Sequence, residues 1–276
     1  MRIQGIKNNT SHNLYRNKAL NNLNFGQKTS HVSNPQYKEL VDKYLKAFLS
    51  EAEHYKSEGN SILQPSEIPL PILQKIAQNE LNKMQKFPAE RKLLIVTGRI
   101  GGGKTTFVNE NQLQKLFYTP DADEIKLLLP KYNELGAGFV HDASCTINIT
   151  NLNEAMKRGI NTIIQTATTI DNIDDIIDEA RDYNYKDVVL IHIDTDEDIA
   201  IERAEKRGKI TGRRIDPNII RERKYIDDII STYNNPNRGL SQLIVYNNNG
   251  DSPVKTKNVN FDSWQQILTF VTECSD

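Results

Sequence analysis

After Lys92, the chain alternates between two kinds of hydrophobic pattern. Short apolar runs, typical of buried strands, lie at 93–97, 116–119, 162–165, 188–193 and 242–246. Apolar residues at helical spacing predict helices at 104–115, 123–129, 146–158, 171–183, 196–207, 216–232 and 262–272. Such alternation predicts βαβ units, so we expect an α/β fold with a mainly parallel sheet and helices on both faces.

Two helical stripes precede this alternating region. The first runs from Tyr37 to Leu49 and the second from Ile72 to Met84, with a proline-containing breaker at 65–71 between them. We expect these helices to pack on the core, and a groove for a partner protein is the alternative.

The first 36 residues follow no period. They are rich in Asn and Ser and carry five Lys or Arg but no Asp or Glu. This composition predicts a disordered arm. The expected organisation is therefore an arm at 1–36, N-terminal helices at 37–90 and an α/β domain at 91–276.

Composition narrows the range of partners and compartments. The net charge of the 276 residues is −1, which argues against a nucleic-acid partner. No apolar run reaches membrane-spanning length, and the first residues lack the apolar stretch of a signal peptide. The two cysteines, Cys145 and Cys274, have no metal-like spacing. We expect a cytoplasmic protein that contacts neither membrane nor nucleic acid.

A glycine-rich loop follows the first apolar run. Its pattern, G-x-x-x-x-G-K-T, is that of the phosphate-binding P-loop of ATP- and GTP-using proteins, where successive backbone N–H groups face one anion. Lys104 would reach the outer phosphates, and the Thr105 hydroxyl would hold Mg²⁺. The predicted nucleotide-binding residues are Gly98, Arg99, Ile100, Gly101, Gly102, Gly103, Lys104, Thr105 and Thr106.

Acidic residues follow the second apolar run. Asp121, Asp123 and Glu124 come where a helix begins, and acidic residues in a first turn are favourable there without any function. The functional interpretation is that one carboxylate accepts a proton from a hydroxyl that attacks a γ-phosphate.

A basic stretch runs from Arg203 to Lys224, with nine Lys or Arg against three acids. A solvated charged helix is the usual explanation of such a run. A glycine-punctuated basic segment late in a phosphate-loop fold also fits a lid that supplies arginines to a transferring phosphoryl group.

Together these motifs resemble the zeta-toxin family of bacterial P-loop kinases, whose members phosphorylate UDP-N-acetylglucosamine and related UDP-sugars. The resemblance spans about 92–250. It implies that Asp123 is the catalytic base and that Arg203 and Arg213 bind the transferred phosphate. Three positions depart from the family pattern on the sugar-nucleotide side. Gln165 stands where Glu is common, Ala167 where Thr is expected, and Ile149 where a substrate-facing Glu is expected.

The resemblance implies an ATP-dependent kinase that uses Mg²⁺ and phosphorylates a hydroxyl of a UDP-sugar such as UDP-N-acetylglucosamine. It also implies a toxin with an antitoxin protein as partner. Two alternatives stay open. One is a kinase for another small molecule, such as a dinucleotide or an antibiotic, and the other is a nucleotide-gated binding module in which Asp123 is only a helix cap.

Overall fold

The computed structural model describes residues 34–167, 170–211, 215–222 and 228–260. These residues divide into two compact units. The first unit contains Phe87–Thr119 and the described part of the chain from Met156 onward. The second unit contains the described residues up to Lys86 together with Pro120–Ala155. The N-terminal helices up to Lys86 and the segment 120–155 therefore share one unit, although they are separated in the sequence, and residues 87–90 belong to the first unit.

The elements are numbered in chain order. The helices are α1 (Pro35–Ser50), α2 (Ala52–Glu58), α3 (Leu70–Met84), α4 (Lys104–Glu110), α5 (Ala122–Lys126), α6 (Tyr132–Phe139), α7 (His141–Lys157), α8 (Ile170–Asp182), α9 (Glu197–Thr211), α10 (Pro217–Arg221) and α11 (Ile229–Tyr233). The strands are β1 (Lys92–Gly98), β2 (Thr162–Thr166), β3 (Asp187–Asp194), β4 (Gln242–Asn247) and β5 (Val254–Asn260). Within the described residues, no helix has the length and hydrophobicity that crossing a bilayer requires.

The first unit is built on a five-stranded sheet in the order β2-β1-β3-β4-β5. The first four strands are parallel, and β5 runs antiparallel to β4. The predicted α/β fold with a mainly parallel sheet is therefore confirmed.

Strand β1 lies between β2 and β3 and is buried on both faces of the sheet. Leu93, Leu94, Ile95 and Val96 are all buried, which explains why this strand is a continuous apolar run rather than an alternating one. Gly98 pairs with Ile193 of β3, so the carboxyl ends of β1 and β3 reach the same edge of the sheet. Open α/β sheets bind ligands at that edge.

The predicted strand at 116–119 is wrong. The chain forms a short 3₁₀ turn at Leu113–Lys115, and then only Tyr118 pairs, as an isolated bridge to Thr162. Pro120 follows almost at once and has no N–H to extend a ladder, which explains why the pairing stops at one bridge.

Several helix boundaries also differ from prediction. The helix expected at 104–115 ends at Glu110, because the backbone turns left-handed at Gln112 (φ 52°). The helix expected at 216–232 begins as α10 and ends as α11, with residues 223–227 outside the described part. Strand β5 was not predicted, and the helix expected at 262–272 lies outside the described residues.

The second unit contains both predicted N-terminal helices, as α1 and α3. Their apolar stripes are buried, including Leu40 and Tyr44 of α1 and Leu73 of α3. The Tyr44 hydroxyl donates to Asn151 Oδ1 of α7 at 2.5 Å, and Lys43 of α1 forms an ion pair with Glu154 of α7. Residues 1–33 of the predicted arm lie outside the described residues.

Candidate functional site

The predicted phosphate loop joins β1 to α4 in the first unit. Its backbone adopts conformations that only glycine takes without strain. Gly101 has φ +84°, and a Cβ atom there would lie 2.2 Å from the Ala200 carbonyl oxygen. Ile100 packs beside the buried cluster that includes Ala200 and Ile220, which anchors the outer side of the loop. The loop therefore lies directly against α9.

The carbonyl groups of the loop are held by donors within the first unit. Lys104 Nζ donates to the carbonyl oxygens of Gly98 and Arg99, at 2.8 and 2.9 Å. The Gly102 N–H donates to the Arg99 carbonyl at 2.9 Å. Lys104 thus braces the loop, and reaching a phosphate would require its ammonium group to exchange carbonyl oxygens for phosphate oxygens.

Thr105 and Thr106 lie in the first turn of α4, and both are exposed. The Thr105 hydroxyl donates to Gln165 Oε1 of β2 at 3.0 Å. Gln165 reaches this place because β2 neighbours β1, with Gln165 paired to Val96. Two neutral oxygen ligands therefore lie side by side at the sheet edge.

These two oxygens fit a magnesium ion. Mg²⁺ prefers oxygen ligands and is usually held by one or two protein groups together with phosphate oxygens and water. Across the described ranges 34–167, 170–211, 215–222 and 228–260, no cluster of three or more His, Cys, Asp or Glu side chains could hold a metal ion by itself. Thr105 and Gln165 could hold Mg²⁺ only together with further oxygen ligands, such as phosphate oxygens and water.

His192 of β3 was missed by the sequence reasoning, although a histidine inside the apolar run 188–193 was the available signal. Burial, together with the positive charges of Lys104 and Arg99, lowers its pKa to about 4. Its Nδ1 is buried with no hydrogen-bond partner among the described residues. A neutral imidazole therefore lies near the cations of the phosphate loop.

Arg203 lies on α9, and its guanidinium group binds backbone oxygens of the loop after β4. Nη1 donates to the Asn248 carbonyl at 2.8 Å, and Nη2 donates to the Gly250 carbonyl at 2.9 Å. In this structure Arg203 therefore fastens a loop of the first unit. The second predicted arginine, Arg213, lies outside the described residues, as does Arg214 of the same basic stretch.

Asp123 belongs to the second unit, on α5. The helix cap is its neighbour, since Asp121 Oδ1 accepts a hydrogen bond from the Asp123 N–H at 2.8 Å. The Asp123 carboxylate forms an ion pair with Lys126 Nζ at 2.9 Å. The Asp123 side chain itself does not cap α5, so capping does not explain why a carboxylate occupies this position.

A cavity of about 390 Å³ lies in the second unit, lined by the end of α3 and by residues after Asp123. Its central cation, Lys83, already binds the carboxylates of Glu80 and Glu124. The ammonium group of Lys83 is therefore already neutralised by two carboxylates.

Comparison with known proteins brings these features together. The family described as zeta toxin matches residues 77–252 of the chain, more than half of its length. A comparison with curated proteins finds no match.

Solved structures with a similar fold include the following two. One is a chain from the PezAT chromosomal toxin–antitoxin system of the human pathogen Streptococcus pneumoniae. It has 16% identity and a TM-score of 0.54, covering 79% of this chain and 96% of that chain. The other is a chain of the AvrRxo1-ORF1:-ORF2 complex. It has 16% identity and a TM-score of 0.50, covering 98% of this chain and 80% of that chain. At identities this low, the two matches establish only the fold, which is that of P-loop kinases.

Proposed function

The chain belongs to the zeta toxin family, and from that premise we propose that it is an ATP-dependent kinase. It transfers the γ-phosphoryl group to a hydroxyl of a nucleotide-linked small molecule, a UDP-sugar such as UDP-N-acetylglucosamine. The observation that carries this proposal is the braced phosphate loop, with Lys104 bound to the loop carbonyls and Thr105 beside Gln165.

The nucleotide would bind on the loop from Gly98 to Thr106. Lys104 is the cation for the β- and γ-phosphates, and its present carbonyl contacts keep it within the loop before ATP arrives. Thr105 and Gln165 would hold Mg²⁺, which when bound neutralises charge on the phosphate oxygens.

Asp123 is proposed as the general base. A carboxylate can accept the proton of the attacking hydroxyl as the new bond to phosphorus forms. Support comes from the division of roles on α5, where Asp121 is the cap and Asp123 pairs with Lys126. Lys126 is buried, so this ion pair would hold the carboxylate in one orientation.

Arg203 and Arg213 are proposed to neutralise negative charge that develops on the transferred phosphoryl group. A guanidinium group suits this role because its planar set of donors matches phosphate oxygens. For Arg203 the role requires that the guanidinium group leave the carbonyl oxygens of Asn248 and Gly250. Arg213 is the second arginine proposed for this role, because it belongs to the basic stretch that the sequence predicts as a lid.

A second acceptor class is favoured by the departures from the family pattern. Gln165, Ala167 and Ile149 replace residues that the resemblance assigns to the sugar-nucleotide side. Ala167 and Ile149 concern the acceptor alone, whereas Gln165 also lies beside Thr105 at the proposed Mg²⁺ site. A kinase for a dinucleotide is therefore the second candidate.

The same comparisons support the proposal of a partner protein. The structure from Streptococcus pneumoniae is described with a toxin–antitoxin system, and the AvrRxo1 chain comes from a complex of two gene products. We propose that this chain is the toxin of such a pair, that an antitoxin protein inhibits it, and that it acts in the cytoplasm.

The test is acceptor-dependent phosphorylation by the purified protein. It is incubated with Mg²⁺, ATP and a panel of UDP-sugars, dinucleotides and aminoglycosides, and products are analysed by mass spectrometry. One added phosphate on UDP-N-acetylglucosamine, absent with the Lys104→Ala variant, supports the favoured acceptor. If only a dinucleotide is phosphorylated, the proposed UDP-sugar substrate is wrong but the kinase assignment stands. If no acceptor increases the consumption of ATP, the kinase assignment itself is rejected.

A further inference from the structure

The carbonyl oxygen of Gly102 in the phosphate loop accepts hydrogen bonds from two side chains that follow other strands. Asn248 Nδ2 donates at 2.8 Å, and Thr195 Oγ1 donates at 3.0 Å. Asn248 follows β4 and Thr195 follows β3, and both are buried, at 7% and 2% exposure. Two buried donors on one carbonyl hold its direction firmly, because breaking either bond would leave a polar atom away from water.

Asn248 is itself held on both sides of its backbone. Its N–H donates to the Asp194 carbonyl at 2.8 Å, and its own carbonyl accepts from Arg203 Nη1 at 2.8 Å. The side chain therefore starts from a fixed backbone. Arg203 therefore binds the backbone of the residue whose side chain binds the Gly102 carbonyl.

Gly103 leaves the space that this contact needs. A Cβ atom at this position would lie 2.4 Å from Asn248 Nδ2, a distance that real side chains essentially never reach. The glycine also has φ +94°, which favours residues without a side chain. The Asn248 amide group therefore occupies space that any side chain larger than that of glycine at position 103 would fill.

We propose that Asn248 is a positioning residue of the phosphate loop, with Thr195 as its second donor. The peptide group between Gly102 and Gly103 is planar and trans, so its C=O and N–H point in opposite directions. The hydrogen bonds from Asn248 and Thr195 fix the direction of the Gly102 carbonyl. They therefore also fix the Gly103 N–H, which points away from these two side chains. This inference rests on the proposed function, in which that N–H is one of the donors to a bound phosphate.

The experiment compares Asn248→Ala, Thr195→Val and the double variant with wild type. Valine replaces threonine without a hydroxyl at nearly the same volume, and Thr195→Ser is the matched variant that keeps the donor. Asn249→Ala is the loop control, since the Asn249 side chain accepts from the Asp196 N–H instead. Binding of a non-hydrolysable ATP analogue with Mg²⁺ is measured by calorimetry, and exchange of the amides at 98–104 is measured without nucleotide.

Asn248→Ala should raise the dissociation constant of the analogue about tenfold, the scale expected when a buried acceptor loses one donor. Thr195→Val should raise it about threefold, and Thr195→Ser and Asn249→Ala should stay near wild type. In the double variant the dissociation constant should rise by more than the product of the two single fold-changes. The reason is that each single variant still leaves one donor on the Gly102 carbonyl. The KM for ATP should rise more than kcat falls, since the change affects the binding loop.

The amide-exchange measurement separates this inference from the proposed function. Faster exchange at 98–104 in the double variant is expected whether or not ATP is the ligand, and unchanged exchange would overturn the positioning role. If the wild-type protein does not bind the analogue, the proposed kinase function is rejected, and amide exchange alone then decides whether Asn248 and Thr195 position the loop. If Asn248→Ala lowers Tm enough to prevent folding, the Thr195→Val and Thr195→Ser pair still decides the matter, because equal exchange in both would contradict the inference.

Discussion

The Thr105 hydroxyl and the Gln165 amide oxygen are 3.0 Å apart, joined by a hydrogen bond across the ends of α4 and β2. The acceptor is a neutral amide, whereas the resemblance to zeta toxins leads one to expect a glutamate there. A carboxylate would bring a negative charge to the oxygen pair that we assign to Mg²⁺. The proposed Mg²⁺ site would therefore carry one negative charge fewer than a site with glutamate, so its affinity for Mg²⁺ should rise when glutamate replaces Gln165.

Gln165→Glu should tighten the binding of Mg²⁺ in the presence of ADP, because added ligand charge strengthens binding of a hard cation. We expect the Mg²⁺ concentration for half-maximal ADP binding to fall about tenfold, the scale of changes next to a metal ligand. Calorimetric titration of ADP at a series of Mg²⁺ concentrations measures it. Gln165→Leu is the control and should not tighten binding. A Mg²⁺ dependence that is equal in wild type and Gln165→Glu would contradict the assignment.

Lys104→Ala should lower turnover by roughly three orders of magnitude or more, since it removes a cation that acts mainly on the transition state. The fold should survive, because α4 and the sheet do not depend on the ammonium group for their core. Steady-state kinetics and the thermal unfolding midpoint measure the two effects. Lys115→Ala is a suitable control, because this exposed lysine pairs with Gln112 outside the loop. Undiminished turnover in Lys104→Ala would remove the phosphate-loop assignment.

His192 should make the stability of the protein depend on pH. Its folded pKa is about 4 against 6.5 for the unfolded chain, so the unfolded state binds more protons between these values. The stability that comes from keeping this imidazole neutral is complete above pH 6.5 and is lost as the pH falls towards 4. The full change is about 3 kcal/mol, from 1.36 kcal/mol per pKa unit. Urea unfolding at pH 7.5 and pH 4.5 should show a smaller loss in His192→Gln than in wild type. An equal loss in both proteins would mean that His192 does not titrate in this way.

The sequence predicts the centre of the fold better than its margins. The run at 93–97 matches β1 to within one residue at each end, because a strand buried on both faces must be apolar throughout. Strand β5 is an edge strand that contains Lys255, Thr256, Lys257 and Asn258. It has no apolar run from which a strand could be predicted. Its position follows from pairing with β4, which sequence patterns do not contain.

The candidate site divides in a similar way. The phosphate loop could be predicted because its chemistry needs consecutive residues at fixed spacing. Asn248 could not be predicted, since it meets Gly102 from 146 positions away and lies in a polar turn like many others. Gln165 could be noted as a departure from a family pattern, but its bond to Thr105 depends on the register between β1 and β2. The lid role of Arg213 stays a prediction.

Comparison of Asp123→Asn with variants of the capping residue Asp121 should separate the proposed catalytic role from helix capping. The variant keeps the size of the side chain but cannot take a proton, so phosphoryl transfer should fall by about 10²–10⁴ while nucleotide binding stays nearly intact. Asp121→Asn is the matched control, because asparagine caps helices as well as aspartate does and activity should hardly change. Asp121→Ala removes the cap that Asp121 Oδ1 provides to the Asp123 N–H, and should cost about 1 kcal/mol of stability with little effect on chemistry.

The comparison needs kinetics and calorimetry on all three variants. Equal activity of Asp123→Asn and Asp121→Asn, with ATP binding retained in both, would make Asp123 dispensable for chemistry and favour a nucleotide-gated binding module. A loss confined to Asp123→Asn would instead assign the proton to this carboxylate. The ion pair with Lys126 adds a further check. Lys126→Met should lower turnover less than Asp123→Asn, because it frees the carboxylate to move but leaves the base in place.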